Sequence, residues 1–289
     1  MKKKVLILGA SGALGLEILK EANKKNFSIR ALTHSEEGYN TIKAFTKDIW
    51  FGDASNAPTQ LRGITNGVDY VISAMGKSVS LFNPTPNSFY QNNYKANYHV
   101  LQDAIDNQVD HFFYVSMKGA DKASKFTIPE THRMMEQEIR KSNLKYSIIR
   151  PVGFFSGLND LIIMAKRQII PLVGDAQAKT NSIHQVDLAQ FIFDAFLNLP
   201  DCIEVGGPKV HTREDMAKMI QKKIGGKIIK FPESMAHFGS QFSKLISKKQ
   251  LGHKLEYFSY IMSHDMIGEK HGEISFETYL NQINTEDIK

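Results

Sequence analysis

The chain has 289 residues, of which 42% are hydrophobic and 23% charged, and its formal net charge is +6. These proportions are typical of globular proteins, so they exclude a disordered or fibrous chain and allow one large domain or two small ones. The single cysteine, Cys202, excludes an internal disulfide and any zinc or iron–sulfur site built from several cysteines. Three histidines near the end of the chain lack the spacing of a metal motif, so we predict no metal site; they are His253, His264 and His271.

The basic residues are scattered in short runs, such as residues 2–4 and 222–223, and do not gather on one element. A nucleic-acid-binding surface clusters its cations, and a membrane span needs roughly 18 apolar residues, so neither is predicted. Residues 1–16 imitate a signal peptide, but the helical pattern of residues 16–22 continues into a folded domain. We therefore expect a cytoplasmic protein, monomeric or homodimeric, without a nucleic-acid or membrane partner.

Short apolar runs alternate with helical patterns through the first half of the chain. The predicted strands cover residues 5–8, 28–33, 48–51, 68–73, 111–116 and 146–150. The predicted helices run to about residue 25 and over residues 88–107 and 130–142. Apolar runs of this kind suit strands that are buried on both faces, and their alternation with helices favours right-handed crossovers. The sequence therefore predicts an α/β fold with a doubly wound parallel sheet.

The regular alternation of predicted strands and helices ends after residue 150. Residues 157–168 have a helical pattern, a helix is predicted to begin at Asp187 as its N-cap, and residues 202–205 form a short strand. Thr212 and Asp215 have the spacing of a capping box at the start of a further helix. From about residue 232 the pattern is of helical pieces and loops, which predicts a smaller, mainly helical C-terminal portion.

The clearest chemical signal is the glycine spacing G-x-x-G-x-x-G at Gly9, Gly12 and Gly15, directly after the first strand. Gly9 suits a turn where a Cβ would interfere, Gly12 lets the backbone approach a diphosphate, and Gly15 lets a helix pack against the sheet. The helix start offers unpaired N–H groups and the positive end of the helix dipole. This predicts a Rossmann dinucleotide site, and the alternative is a tight turn without a ligand. The predicted contacts are Gly9, Ser11, Gly12, Ala13, Leu14 and Gly15.

Further segments resemble the short-chain dehydrogenase/reductase superfamily. They are Asp53, residues 74–76, Asn93 and residues 150–155, 183–189 and 206–208. The sequence is most similar to the atypical branch that includes divinyl chlorophyllide reductase and the nitrogen-metabolite-repressor-like proteins. We expect one compact unit in which a Rossmann domain over residues 1–150 plus 181–207 is interleaved with a substrate-side cap over residues 151–180 plus 208–289. The resemblance implies cofactor contacts at Asp53, Ala74, Met75, Gly76, Asn93, Pro151, Gly153 and Phe154.

The end of the second strand bears on the choice of dinucleotide. NAD sites usually place a carboxylate there, yet none precedes Glu36. Thr33, His34 and Ser35 can hydrogen-bond a 2′-phosphate, and Arg30 adds charge if its side chain faces that edge. We therefore predict NADP(H) as the cofactor, with NAD as the second choice.

The resemblance also implies a catalytic Tyr-x-x-x-Lys pair, which this chain lacks. Aligning the segment before Arg150 puts Ile128 at the tyrosine position and His132 at the lysine position. Isoleucine cannot exchange a proton, whereas a histidine with an ordinary pKa can. Ser116 matches the family's serine at the end of the fifth strand. Ser116 and His132 are therefore the candidate catalytic residues and further cofactor contacts, and Lys118 is a possible substitute for the lysine.

Two functions remain open. One is an NADP(H)-dependent oxidoreductase that acts on an unknown apolar small molecule. The other is a catalytically silent dinucleotide-binding sensor or interaction protein. A third, an epimerase or dehydratase, normally needs the tyrosine that Ile128 replaces. The side chains expected either to line an apolar substrate or to form a helical core are Phe154, Phe155, Ile162, Met164, Phe238, Phe242, Phe258 and Met262.

Overall fold

A computed structural model describes residues 2–55, 58–83, 88–123, 125–245, 249–284, 286 and 288. The strands are β1 (Lys4–Leu8), β2 (Ser28–Thr33), β3 (Asp48–Phe51), β4 (Tyr70–Ser73), β5 (His111–Val115), β6 (Lys145–Pro151), β7 (Ile169–Val173), β8 (Lys179–Thr180), β9 (Cys202–Gly206), β10 (His211–Thr212), β11 (Lys227–Phe231) and β12 (Glu269–Lys270). The helices are α1 (Ala13–Lys24), α2 (Glu36–Ile42), α3 (Ala96–Asp106), α4 (Thr127–Lys141), α5 (Asn159–Lys166), α6 (Gln185–Asp194), α7 (Arg213–Ile224), α8 (Glu233–Leu245), α9 (Lys249–Ser263) and α10 (Phe276–Gln282). A π-helical segment, Tyr90–Lys95, leads into α3.

The predicted parallel sheet is confirmed. It has eight strands in the order β12-β9-β6-β5-β4-β1-β2-β3, and β1 runs parallel to both of its neighbours, β2 and β4. The chain therefore builds outward from β1 to β3 on one side and then from β4 to β6 on the other. The carboxyl ends of β1 and β4 flank the point where the strand order reverses, which is where open α/β sheets bind their ligands.

The apolar runs of the sequence form the centre of the sheet. Residues Val5, Leu6, Ile7 and Leu8 of β1 are fully buried. Leu6 and Leu8 belong to a core cluster that also contains Phe112 from β5. A strand covered on both faces excludes water from its whole backbone, so its loops at the carboxyl edge start from a rigid base.

The contacts divide the chain into two compact units. The first comprises Met1–Lys77, Asn87–Arg150 and Leu188–Glu204, and the second comprises Ser78–Pro86, Pro151–Asp187 and Val205–Lys289. Residues 78–83, 181–187 and 205–207, which were predicted to belong to the Rossmann domain, belong to the second unit. The dinucleotide-binding and substrate-side roles of the two portions stay predictions.

The second unit has its own core. Phe155, Ile162 and Met262 are buried in it, and Met164 and Phe258 pack against them. These five side chains therefore form a hydrophobic core, which is one of the two roles expected for them, the other being the lining of a substrate site. The side chains of Phe238 and Phe242 lie outside the described part. Small strand pairs, β7 with β11 and β8 with β10, also lie in this unit. No helix among the described residues is both long enough and apolar enough to span a membrane.

Two predicted helix starts have different outcomes. The capping box of α7 is confirmed, since the Thr212 hydroxyl accepts the Asp215 N–H and the Asp215 carboxylate accepts the Thr212 N–H. The N-cap role of Asp187 is wrong, because α6 begins at Gln185. The Asp187 carboxylate instead accepts the N–H of Ile274 at 3.0 Å, and burial raises its pKa. Its partner comes from the end of the chain, which local sequence does not reveal.

Candidate functional site

The glycine turn at the end of β1 is shaped by close backbone packing. Gly9 has a φ of +74°, and a Cβ there would lie 2.7 Å from the Ala74 carbonyl oxygen. A Cβ at Gly15 would overlap the Gly9 carbonyl. Gly12 differs, since its φ is −77° and its nearest neighbour would be 3.2 Å away. The fold therefore requires glycine at positions 9 and 15. The packing at position 12 is looser, so a strict requirement for glycine there would come from a ligand and not from the fold.

The start of α1 is open to an anion. No side chain caps it, its first turn contains no acidic residue, and Ser11, Gly12 and Ala13 are exposed. The first N–H groups of a helix have no acceptor within the helix, and they carry the positive end of its dipole. Leu14 and Gly15 are buried, which fixes the direction of the helix. The arrangement can hold a phosphate group without rearranging.

Hydroxyl groups gather beside this turn at the end of β2. The Thr33 hydroxyl donates to the Ser35 carbonyl at 3.2 Å, and the Ser35 hydroxyl accepts the Gly38 N–H at 3.1 Å, which caps α2. A Cβ at Gly38 would meet the hydroxyls of Thr33, Ser35 and Ser11. His34 is exposed between them. The predicted residues therefore converge on one small polar region.

Arg30 does not belong to this region. Its Nε donates to Asp48 at 3.0 Å, and its Nη1 donates to the carbonyls of Ile64 and Asn66 at 2.7 Å and 3.0 Å. The condition for a contribution from Arg30, that its side chain faces the end of β2, is not met, because its guanidinium binds Asp48 of strand β3.

Asp53 follows β3 at the same edge of the sheet. The N–H of the preceding Gly52 donates to the Thr33 carbonyl at 2.9 Å, which places Asp53 beside the end of β2. The Asp53 carboxylate accepts the Ser55 N–H at 2.8 Å, and the Asp53 N–H donates to the Gln60 side chain at 3.1 Å. These bonds hold the residue in one orientation.

The loop after β4 is pinned by two buried asparagines on one helical face. The Ala74 N–H donates to the Leu8 carbonyl at 3.1 Å, so the loop begins beside the glycine turn. The Asn97 side chain donates to the Met75 carbonyl at 3.0 Å, and the Asn93 side chain accepts the Lys77 N–H at 2.9 Å. Residues 74–77, with Gly76 exposed among them, therefore have a fixed backbone at the switch point.

His132 is buried behind this loop. Its Nε2 lies 3.3 Å from the Asn93 amide nitrogen, and its Nδ1 lies 2.8 Å from the Tyr114 hydroxyl. Because the Asn93 oxygen accepts from Lys77, its nitrogen faces His132 and donates, so Nδ1 carries the ring proton. Burial lowers the pKa of His132 to about 4. The ring is neutral at neutral pH, which disfavours the proton-transfer role predicted for it.

The low pKa of His132 predicts a pH dependence of stability. The folded value is about 4 and the ordinary value is 6.5, so the unfolded chain binds more protons between these pH values. The contribution is fully present above pH 6.5 and is lost as the pH falls towards 4, by ~3 kcal/mol at 1.36 kcal/mol per pH unit. Denaturation by urea across this range should show a shallower pH slope for His132→Gln than for the wild type. Equal slopes would contradict the burial of the ring.

Ser116, at the end of β5, is bonded to a buried ion pair. Its hydroxyl donates to Glu136 at 2.6 Å, and Arg150 binds both oxygens of the same carboxylate at 2.9 Å and 2.6 Å. Ile128 is also buried, and Lys118 is paired with Glu204. The hydroxyl proton of Ser116 is therefore bonded to Glu136, and the Lys118 ammonium is bonded to Glu204.

The three remaining predicted contacts lie in the second unit. Pro151 ends β6 and is buried, and the Gly153 carbonyl accepts the Ile183 N–H at 2.8 Å. Phe154 forms a parallel bridge with Ile183 and is half-buried. Their part in cofactor binding stays a prediction. Sequence reasoning missed Asn97, although the four-residue spacing from Asn93 places both amides on one helical face.

Comparisons with known proteins agree with this geometry. A family model described as NAD(P)H-binding matches residues 9–198. The photosystem II assembly factor Ycf39 of Trieres chinensis is 23% identical over 82% of this chain and 75% of its own length. The chloroplastic divinyl chlorophyllide a 8-vinyl-reductase of Arabidopsis thaliana is 24% identical over 81% of this chain and 61% of its own length, so the match spans less than two thirds of that reductase.

Solved structures share the fold at low identity. The NADPH-dependent quinone oxidoreductase QOR2 of Escherichia coli, complexed with NADPH, has a TM-score of 0.70 at 15% identity and covers 96% of this chain and 98% of its own. A nucleoside-diphosphate-sugar epimerase of Staphylococcus aureus has a TM-score of 0.73 at 14% identity and covers 98% and 100%. Likeness at this identity shows the fold. With the family match over residues 9–198, the chain belongs to the NAD(P)H-binding family, as its glycine turn predicts.

Proposed function

We propose that the chain binds NADP(H) across the switch point between β1 and β4 and uses it to reduce an unknown apolar small molecule. The observation that carries the proposal is the open start of α1, which follows a turn that tolerates no Cβ at Gly9 or Gly15. A backbone already fixed in this way can accept a diphosphate with little loss of entropy. The proposed diphosphate contacts are Gly9, Ser11, Gly12, Ala13, Leu14 and Gly15.

We use the strand order to assign the other proposed contacts to the two halves of the ligand. Strands β2 and β3 lie on one side of β1, and β4 and β5 lie on the other. A dinucleotide across the switch point therefore has its adenosine half over the first side and its nicotinamide half over the second. We assign the adenosine half to Thr33, His34, Ser35 and Asp53. We assign the nicotinamide half to Ala74, Met75 and Gly76, with Asn93, His132 and Ser116 behind them as positioning residues.

The 2′-phosphorylated form is favoured by the end of β2. No carboxylate precedes Glu36 there, and the hydroxyls of Ser11, Thr33 and Ser35 lie together with His34 exposed beside them. NAD is the second choice, because the Arg30 guanidinium binds Asp48 and is therefore not directed at a 2′-phosphate.

Replacing His34 by glutamate tests this choice. The new carboxylate would repel a 2′-phosphate but not a 2′-hydroxyl, so we expect the Kd for NADPH to rise by about tenfold more than the Kd for NADH. His34→Gln is the matched control, because it keeps a polar side chain without the charge. Calorimetric titration of the wild type and both variants with NADPH and NADH measures all six affinities. Equal losses of NADPH and NADH binding in His34→Glu would remove His34 from the discriminating role.

The reaction that we propose follows from the lack of a proton donor at the expected catalytic positions. When bound, the nicotinamide ring supplies a hydride. The three positions at which the resemblance implies catalytic residues provide no acid, since Ile128 is apolar, the Ser116 proton is bonded to Glu136, and His132 is neutral. We therefore propose a substrate that accepts a hydride without a protein acid. A quinone fits, because its ring becomes aromatic when it accepts the hydride and stabilises the resulting oxyanion until water protonates it, and the QOR2 neighbour is described as a quinone oxidoreductase.

The same observations favour a second candidate, a dinucleotide-binding sensor without catalytic turnover. The two are separated by following NADPH oxidation at 340 nm with panels of quinones, aldehydes, ketones and enones. We expect oxidation with quinones and little with aldehydes or ketones, which need a proton donor. Saturable NADPH binding without oxidation by any acceptor would favour the sensor. Rapid reduction of simple aldehydes would contradict the absence of a protein acid.

A further inference from the structure

We propose that Lys77 binds the nicotinamide half of the dinucleotide through its ammonium group, at an oxygen of the nicotinamide ribose or of the adjoining phosphate. This inference rests on the proposed dinucleotide site and adds a residue that neither the glycine turn nor the family resemblance indicates. Lys77 directly follows the exposed Gly76, on the loop that leaves β4 at the switch point.

Lys77 differs from the other cations in the described part of the chain because it is half-buried without a partner there. Burial is the one cause that lowers its pKa, and no carboxylate or carbonyl in the described residues hydrogen-bonds its ammonium. Every other lysine or arginine described there as buried or half-buried has a hydrogen-bond or ion-pair partner. These are Lys4, Lys20, Arg30, Lys118, Arg133, Arg150, Arg213 and Lys254.

A partly dehydrated ammonium without a partner costs free energy. Such a cost is typical of binding sites, where a ligand supplies the missing partner. The backbone at Lys77 is also fixed, because its N–H donates to Asn93, which in turn is held by Thr131 and His132. The cation is therefore presented from a backbone that is held in a fixed position.

The strand order decides which part of the ligand Lys77 meets. The diphosphate is assigned to the loop after β1, and the adenosine half to the side of β2 and β3. Lys77 follows β4, on the opposite side of β1. An ammonium there faces the nicotinamide ribose and the phosphate attached to it, both of which present oxygen acceptors.

Calorimetric titration with NADPH and with 2′,5′-ADP tests the inference, since 2′,5′-ADP lacks the nicotinamide ribose and its phosphate. For Lys77→Met we expect the Kd for NADPH to rise tenfold or more, as for loss of a charge-assisted hydrogen bond, while the Kd for 2′,5′-ADP stays within twofold. Lys77→Arg should keep NADPH affinity within about threefold. Lys222→Met, at an exposed position of α7, is the control for the loss of one positive charge.

The ligand-free variant gives a second readout. Lys77→Met removes a dehydrated ammonium without breaking a bond, so its Tm should equal or exceed that of the wild type. Unchanged NADPH affinity in Lys77→Met, with normal binding by the wild type, would overturn the role of Lys77 and leave the dinucleotide site intact. An equal loss of 2′,5′-ADP affinity would also overturn it, as would a lowered Tm. Failure of the wild type to bind either nucleotide would instead overturn the proposed function, and the inference with it.

Discussion

Gly12→Val should abolish dinucleotide binding while leaving the fold in place. The backbone of Gly12 has a φ of −77° and a ψ of 165°, which valine adopts readily. A Cβ there would lie 3.2 Å from the Gly9 carbonyl oxygen, so the turn must shift by a few tenths of an ångström to accept it. The branched side chain would, however, occupy the space through which a diphosphate reaches the N–H groups of α1. We expect the Kd for NADPH to rise by a factor on the order of 100 or more, measured by calorimetry.

Two other glycines provide controls for this variant. Gly15→Ala should destabilise the protein itself, because its Cβ would overlap the Gly9 carbonyl, so its Tm should fall well below that of Gly12→Val. Gly239→Val places the same side chain in open space on α8 and should leave NADPH affinity unchanged. Unchanged NADPH affinity in a folded Gly12→Val protein would show that no diphosphate lies at this turn.

Arg150→Met should be among the most destabilising substitutions in the chain. Glu136 and Arg150 are 3% and 7% exposed, and the guanidinium binds both carboxylate oxygens. Removing it leaves a buried carboxylate whose one remaining donor among the described side chains is the Ser116 hydroxyl, which costs ~3–5 kcal/mol. That is a large fraction of a typical stability of roughly 5–15 kcal/mol, so both the Tm and the urea midpoint should fall sharply.

The double variant Arg150→Met/Glu136→Leu separates the cost of an unpaired charge from the cost of lost packing. Replacing both partners by apolar side chains of similar size removes the buried charge and should restore much of the stability. Lys25→Met breaks an exposed pair with Asp194 and should leave the Tm almost unchanged. If Arg150→Met is no more damaging than Lys25→Met, the buried pair does not anchor the end of β5.

The sheet was predictable because its strands are buried on both faces. Apolar runs such as residues 5–8 and 28–33 carry that signal locally, and β2 begins and ends where it was predicted. Strands β7 and β11 were not predicted, because they pair with each other across a long stretch of chain. Short α2 was missed for a related reason, since seven residues give little helical periodicity and the Ser35 cap becomes informative only beside Gly38.

The candidate site likewise has one feature that the local sequence predicts and others that depend on tertiary structure. The glycine turn is a local feature, because the steric need at Gly9 and Gly15 follows from a strand, a turn and a helix in sequence. The environments of His132 and Ser116 depend on tertiary burial, which turns a histidine with an ordinary pKa into a neutral ring and directs a serine hydroxyl to Glu136. The local sequence does not single out Lys77, because its lack of a hydrogen-bond or ion-pair partner among the described residues can be seen only in the folded structure.

Calorimetric titration of the wild-type protein with NADPH and NADH is the most direct test of the central claim, that the start of α1 holds a diphosphate. We expect saturable binding at one site per chain, with the tighter Kd for NADPH. Crystals grown with the nucleotide should show difference density for the diphosphate at the N–H groups of Ala13 and Leu14. Absence of binding heat with both nucleotides, together with no density at that turn, would contradict it.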